Sequence, residues 1–270
     1  MSKVIVGFDF SKGSAYAVDF AIDIANRFQH DLCLVYVKEK DQDEGPIREE
    51  IERRNAGVAH LLNGIKMDYV IREGKVSREL CAQAKEDGAF LIVVGTHGMS
   101  GFEKNWIGRN TYRTIAEAPA PVLTISEVFN FRKSLERIVV PIDNSPDTRQ
   151  KLAAAANFAK VFGSELHILG LYTSEAKSIR AIVNAYVNQV DNYLTKAEVN
   201  HVVKFVDVPK NLTVTTLEYA DEIDADMIVI MTEQESSLTS FLLGNYAQQM
   251  LTLSSRPVLS VRPEEVNKLR

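Results

Sequence analysis

The sequence predicts an α/β protein made of two doubly wound domains, each with a five-stranded parallel sheet of strand order 3-2-1-4-5. Three observations support this prediction: the chain length, an internal repeat, and the alternation of strand and helix patterns within each copy. The chain has 270 residues, whereas ordinary domains contain roughly 100–150. Two domains are therefore the natural expectation, and a hydrophobic content of 46% is sufficient for two cores.

The internal repeat has the length of a whole domain. The segment KVIVGFDFS, which begins at Lys3, is matched by RIVVPIDNS, which begins at Arg137. Within these segments Asp9 and Asp143 lie 134 residues apart (143 − 9). This period is too long for a solenoid unit and indicates a duplicated domain. The two predicted domains cover residues 1–128 and 136–265.

In the first copy, β-branched runs alternate with helical patterns. Lys3–Asp9 is a short run that suits a strand buried on both faces. Ser14–Phe28 then places apolar residues at helical spacing. Further strands are predicted at Leu32–Val37, Met67–Ile71, Phe90–Val94 and Val122–Ile125, and further helices at Ile47–Leu62, Ser77–Glu86 and Thr111–Glu117.

The second copy repeats the same order, and its longest predicted helix is Ala176–Glu198. Strands that alternate with helices imply a parallel sheet with helices on both faces. The predicted strands of this copy are Ile138–Ile142, Leu166–Leu171, Val202–Val206, Met227–Ile230 and Val258–Val261.

Composition excludes several classes of function. The net charge of −5 argues against a nucleic-acid-binding surface, which usually shows a basic excess. No apolar run approaches the ~20 residues that would cross a bilayer, and the N-terminus lacks the pattern of a signal peptide. Cys33 and Cys81 are far apart in apolar segments and are expected to be reduced. We therefore expect a cytoplasmic protein with neither a nucleic-acid nor a membrane partner.

Candidate site residues follow two of the predicted strands. In an open α/β sheet, ligands bind beyond the carboxyl ends of the strands, where the strand order reverses. Strand 1 ends in Asp9, strand 4 runs into Gly95 and Gly98, and Gly108 precedes the next helix. Glycines allow the backbone to approach a phosphate closely, and the amides of a helix N-terminus then point at the anion.

The order of these features resembles the universal stress protein family. The shared features are Asp-x-Ser after strand 1, G-x2-G-x9-G after strand 4, and PVLxI in the last strand, and they cover nearly the whole chain as two copies. The resemblance implies a Rossmann-like fold of the adenine nucleotide alpha hydrolase type, with an ATP pocket in the first copy. It implies that Asp9 contacts ribose or metal-bound phosphate, with Mg²⁺ accompanying the ATP, and that Val37 offers backbone contacts to adenine.

By the same resemblance, Gly95, Gly98 and Gly108, with the amides of Arg109 and Asn110, are expected to cradle the phosphates. Relatives that bind ATP usually carry Ser or Thr at the position of Arg109. Two interpretations of this departure are open. The guanidinium binds the γ-phosphate, or it fills an empty pocket and pairs with Asp9.

The second copy departs further from the pattern. Asp143 and Gly244 are kept, but Met231 and Gln234 stand where the first copy has Gly95 and Gly98. Their side chains would obstruct the approach of a phosphate. We therefore expect a degenerate site in the second domain.

These observations predict a stress-response regulatory protein that binds ATP in its first domain and hydrolyses it slowly at most. The alternative is a nucleotide-free interaction or scaffold protein with both pockets closed. The last strands of the two copies are expected to pair within the chain as an internal pseudo-dimer across a short linker, Val128–Leu135. The sequence also allows a homodimer, and it does not identify the protein partners.

Overall fold

The computed structural model describes residues 2–96, 107–126, 134–232, 234–237 and 240–263. For residues 234–237 and 240–242 the backbone alone is described. The chain divides into two compact units, residues 1–131 and 132–270.

Unit 1 alternates strands and helices throughout its described residues. Its strands are β1 (Lys3–Gly7), β2 (Asp31–Lys38), β3 (Met67–Glu73), β4 (Leu91–Gly95) and β5 (Val122–Ile125). Its helices are α1 (Lys12–Phe28), α2 (Glu44–Val58), α3 (Val76–Glu86) and α4 (Arg109–Glu117).

The sheet of unit 1 has the order β3-β2-β1-β4-β5, and every neighbouring pair is parallel. The predicted order is thus confirmed. Val4, Ile5 and Val6 of the central strand are fully buried, as expected for a parallel sheet covered on both faces. The order reverses at β1, which pairs with β2 on one side and with β4 on the other.

Helix boundaries in unit 1 depend on capping residues that the apolar pattern does not include. Ser11 caps α1, because its hydroxyl accepts a hydrogen bond from the amide of Ser14 at 3.1 Å. Asp43 caps α2 in the same way through Gly45. The prediction that the second helix covers Ile47–Leu62 is therefore wrong at both ends. The helix starts at Glu44, and a single 3₁₀ turn, Ala59–Leu61, follows its end at Val58.

Unit 2 repeats this arrangement. Its strands are β6 (Arg137–Ile142), β7 (Glu165–Tyr172), β8 (His201–Asp207), β9 (Met227–Met231), β10 (Gln234–Ser237), β11 (Ser240–Leu243) and β12 (Val258–Val261). Its helices are α5 (Leu152–Phe162), α6 (Lys177–Lys196), α7 (Leu212–Glu222) and α8 (Asn245–Leu253). Five of the strands form a parallel sheet of order β8-β7-β6-β9-β12, which is the predicted order.

The remaining two strands were not predicted. β10 and β11 pair antiparallel, with Gln234 opposite Leu243 and Ser237 opposite Ser240. This hairpin lies at the position in the sequence where the first copy has its glycine motif. The pairing of the last strands of the two copies, and the internal pseudo-dimer it would form, stays a prediction.

His167 gives unit 2 a predicted sensitivity to acid. This side chain on β7 is buried, one ring nitrogen lies 3.0 Å from the Tyr219 hydroxyl, and the other lies 3.1 Å from the Glu165 carboxylate. Burial lowers the pKa of His167 from its ordinary value of 6.5, and the opposing effect of Glu165 is weaker. The folded protein therefore keeps His167 neutral at a pH where the unfolded chain binds a proton. The contribution of His167 to the free energy of unfolding is therefore fully present above about pH 6.5, the pKa in the unfolded chain. It is lost as the pH falls through the lowered pKa of the folded protein.

We expect His167→Gln to reduce the loss of unfolding free energy between about pH 7 and pH 5, as measured by urea denaturation. His60→Gln is the matched control, because His60 is exposed. An unchanged pH dependence in His167→Gln would contradict this account.

Candidate functional site

The carboxyl edge of the unit 1 sheet brings together residues that are distant in sequence. Asp9 lies two residues beyond β1, Gly95 is the last residue of β4, and Val37 is the penultimate residue of β2. Because β1 lies between β2 and β4, these three residues lie at the point where the strand order reverses. This is where open α/β sheets hold their ligands.

Asp9 is held by a local hydrogen-bond network. Its Oδ1 accepts hydrogen bonds from the amide of Ser11 at 3.1 Å and from the hydroxyl of Ser11 at 2.5 Å, while its own amide donates to the Ser14 hydroxyl at 3.3 Å. This is an aspartate turn that leads into the cap of α1. Oδ2 of Asp9 accepts no hydrogen bond from the described residues, so one oxygen builds the turn and the other is available to a ligand.

Gly95 allows two backbones to come together. A Cβ atom at this position would lie 2.8 Å from the carbonyl carbon of Gly13 and 3.2 Å from the amide nitrogen of Ser14. The first turn of α1 therefore packs directly on the end of β4. Through Ser14, this contact also joins Gly95 to the turn of Asp9. The packing explains why this residue is glycine, and its contact with phosphate stays a prediction.

Gly108 and Thr111 connect the start of α4 to the end of β4. The amide of Gly108 donates to the carbonyl of Thr96 at 3.0 Å, and the hydroxyl of Thr111 donates to the carbonyl of Gly95 at 3.0 Å. Gly108 is the N-cap of α4 and provides no side-chain cap. The first amides of this helix thus lie at the carboxyl edge of the sheet without a capping side chain.

Arg109 and Asn110 lie at the start of α4, and both are exposed. Within the described part of the chain, Arg109 forms no ion pair with Asp9, so the interpretation in which these residues pair receives no support. Gly98 and His97 lie outside the described residues, and the role of Gly98 stays a prediction.

The corresponding edge of unit 2 keeps the aspartate turn. Oδ1 of Asp143 accepts from the amide of Ser145 at 3.0 Å and from its hydroxyl at 2.6 Å, and the amide of Asp143 donates to the Thr148 hydroxyl at 3.2 Å. This network reproduces that of Asp9, with threonine in place of Ser14.

A small cavity lies at the same edge. Its volume of about 20 Å³ is enough for a water molecule. Its wall contains Asp143, Lys151, Met231 and Tyr246. Lys151 is only 2% exposed, and its ammonium group donates to the carbonyl of Thr148 at 2.6 Å.

Sequence analysis missed two features of these sites. Lys151 corresponds to Ala17 in the first copy (151 − 134 = 17), a substitution visible in the aligned copies. Phe10 follows Asp9 and has a backbone φ of 63°, and no sequence pattern indicated this conformation.

None of the described residues forms a group of three or more His, Cys, Asp or Glu side chains that could hold a metal ion. Among the helices that the structure describes, none is long and apolar enough to cross a membrane. Cys33 is buried and Cys81 is partly exposed, and neither of these two described residues is in a disulfide.

Unit 1 is a doubly wound α/β domain with an aspartate after its first strand and a glycine at the end of its fourth. Domains of this class hold ligands at the point where the strand order reverses. The sequence model described as the universal stress protein family matches residues 1–126 and 134–262. The chain therefore belongs to the universal stress protein family, with two copies of its domain in tandem, and the resemblance seen in the sequence is confirmed.

Individual relatives match about half of the chain. Universal stress protein YxiE of Bacillus subtilis is 29% identical over 147 residues, which cover 46% of this chain and 98% of that protein. Universal stress protein MJ0531 of Methanocaldococcus jannaschii is 27% identical over 139 residues, which cover 46% of this chain and 82% of that protein. A universal stress protein structure from Archaeoglobus fulgidus has a TM-score of 0.78 at 18% identity and covers 96% of this chain and 98% of its own. This last likeness shows a shared fold.

The packing at Gly95 predicts a loss of stability on substitution. Gly95→Ala would place a methyl group against the backbone of Gly13, so we expect the free energy of unfolding to fall by about 1–3 kcal/mol. The control is Gly57→Ala in α2, where a Cβ atom meets nothing within 4 Å. This control should raise the free energy of unfolding by about 0.4–1 kcal/mol. Chemical denaturation measures both, and a Gly95→Ala variant as stable as the wild type would contradict the close contact.

Proposed function

We propose that the protein is a regulatory universal stress protein that binds ATP in unit 1. The observation that carries the proposal is the juxtaposition of Asp9, the end of β4 and the uncapped start of α4. The contact of Gly95 with Gly13 and the hydrogen bond from Gly108 to Thr96 hold these parts in place. A carboxylate oxygen and helix amides without a side-chain cap are then offered at one edge of the sheet.

The residues at this edge fit the chemistry of a nucleoside triphosphate. The amides at the start of α4 and the guanidinium of Arg109 suit phosphate oxygens, because a helix N-terminus and an arginine both favour an anion. Oδ2 of Asp9 suits a ribose hydroxyl or a Mg²⁺ ion, both of which require an oxygen acceptor. Val37 would offer its backbone to the adenine.

Hydrolysis, if it occurs in this pocket, is expected to be slow. The Ser11 hydroxyl donates its proton to Asp9, and its oxygen accepts from the amide of Ser14. Both hydrogen bonds belong to the turn of Asp9 and the cap of α1, so Ser11 has a structural role there. A bound Mg²⁺ ion would neutralise phosphate charge, and the residues of unit 1 would bind and orient the nucleotide rather than exchange protons with it.

Under this proposal, bound nucleotide biases the shape of unit 1 and its choice of protein partners. Unit 2 contributes no nucleotide site, because Met231 and Lys151 line the remaining small cavity. The alternative function, a nucleotide-free scaffold, requires a closed pocket in unit 1.

Matched substitutions at the two aspartates test the proposal. Asp9→Asn and Asp143→Asn both keep an oxygen that can accept from the following serine, so the turns should persist. The amide group that Asp9→Asn introduces in place of Oδ2 cannot accept from ribose or bind Mg²⁺. We therefore expect Asp9→Asn to weaken ATP binding about tenfold or more. Asp143→Asn should leave ATP binding unchanged.

The measurement is calorimetric titration of ATP and Mg²⁺ into the full chain. The proposal predicts one ATP per wild-type chain. Absence of binding to the wild type, or an equal effect of the two substitutions, would overturn it.

A further inference from the structure

Phe10 has a backbone conformation that is unfavourable for its side chain. Its φ of 63° lies in the left-handed region, which bulky residues rarely adopt and which is often found at functional sites. The corresponding residue of unit 2 is Asn144 (144 − 134 = 10), and Asn144 does not have a positive φ. Asparagine tolerates this conformation much better than phenylalanine. Of the two equivalent residues, only Phe10 thus has the left-handed conformation.

The ring of Phe10 belongs to an aromatic cluster at the carboxyl edge of the sheet. Its centroid lies 5.0 Å from that of Phe8, in an edge-to-face arrangement, and 5.1 Å from that of Tyr36. Phe8 and Tyr36 are buried, whereas Phe10 is half-buried. The Tyr36 hydroxyl accepts a hydrogen bond from the Gln42 side chain at 3.2 Å. The partners of Phe10 are thus fixed, while its own ring keeps surface that is open to contact.

The position of this ring matches the path expected for a nucleotide in unit 1. Phe10 follows Asp9 directly in the chain, and its partner Tyr36 directly precedes Val37. Asp9 is the residue proposed for the ribose, and Val37 is the residue proposed for the adenine. A flat apolar ring that adjoins Asp9 in the chain and contacts the neighbour of Val37 is suited to pack against a base, because aromatic side chains stack on bases of every kind through their faces.

Unit 2 has no equivalent of this ring among its described residues. The side-chain oxygen of Asn144 accepts a hydrogen bond from the Thr173 hydroxyl at 3.0 Å, so the same turn is polar there. Unit 1 has Phe10 where unit 2 has Asn144. In the same way, unit 1 has Gly95 at the end of its fourth strand where unit 2 has Met231. Both changes set unit 1 apart from unit 2 at the same edge of the sheet.

We propose that Phe10 packs against the base of the nucleotide bound by unit 1 and makes the site prefer purine over pyrimidine nucleotides. This inference rests on the proposed function, because it requires a nucleotide in that pocket. A purine offers two fused rings to the phenyl face, and a pyrimidine offers one. Loss of the ring should therefore weaken ATP binding more than UTP binding.

The test compares the binding of ATP and UTP, each with Mg²⁺, by calorimetry on the full chain. Phe10→Asn removes the ring and introduces the residue of unit 2, which tolerates the left-handed backbone. We expect this variant to bind ATP about tenfold more weakly, with a change for UTP of about twofold or less. Phe10→Leu keeps apolar bulk without a flat ring and should shift the ratio in the same direction. Phe10→Tyr should preserve the wild-type ratio.

The matched control is Tyr16→Asn, which removes an exposed ring from α1 of the same unit and should change neither affinity. An equal loss of ATP and UTP binding in Phe10→Asn and Phe10→Leu would mean that Phe10 only supports the turn, and would overturn the inference alone. Equal affinities of the wild type for ATP and UTP would do the same. A wild type that binds neither nucleotide would instead overturn the proposed function, and this inference with it.

Discussion

The close contact between the first turn of α1 and the end of β4 is the constraint on which the unit 1 site depends. The contact is possible because Gly95 has no side chain, and a Cβ atom there would meet the backbone of Gly13 at 2.8 Å. It lets α1 begin at Lys12, directly after the turn of Asp9 and Ser11. It also fixes the position of the end of β4. The carbonyls of Gly95 and Thr96 there accept hydrogen bonds from Thr111 and Gly108, and these bonds position the start of α4. The proposed ligand contacts of Asp9, Gly95, Gly108 and the start of α4 are thus linked to this contact.

Unit 2 lacks this constraint, and its first helix differs accordingly. Met231 stands in place of Gly95, and its side chain requires the space that the backbone of the first helical turn occupies in unit 1. The helix after the aspartate turn therefore starts later. α5 begins at Leu152, equivalent to position 18 in the first copy (152 − 134), which is six residues beyond the start of α1 at Lys12 (18 − 12).

The residues before α5 form turns instead of an α-helix. The amide of Gln150 donates to the carbonyl of Asp147 at 2.9 Å, and the amide of Leu152 donates to that of Arg149 at 3.0 Å. Lys151 is buried in this segment and extends into the edge where a ligand would lie. Met231 on β9 and Lys151 before α5 thus both line the small cavity at this edge of unit 2.

Much of this organisation could be predicted from the sequence, because it depends on patterns of buried residues. The duplicated domain, the strand order and the position of Asp9 at its reversal all follow from β-branched runs that alternate with helical patterns. The starts of α1 and α2 could be predicted less well, since they depend on the capping residues Ser11 and Asp43, which lie outside the apolar pattern. The backbone of Phe10 and the burial of Lys151 could not be predicted, because they depend on packing between segments that are distant in sequence. The β10–β11 hairpin was missed as well, since no strand was predicted between Met227–Ile230 and Val258–Val261.

The central claim is that the two copies have diverged, so that unit 1 binds a nucleotide and unit 2 does not. Amide hydrogen exchange of the full chain, with and without ATP and Mg²⁺, tests it most directly. The account predicts slower exchange on nucleotide addition around Asp9 and at the start of α4, with no change around Asp143 or at the start of α8. Slower exchange at the unit 2 positions, alone or together with those of unit 1, would contradict it.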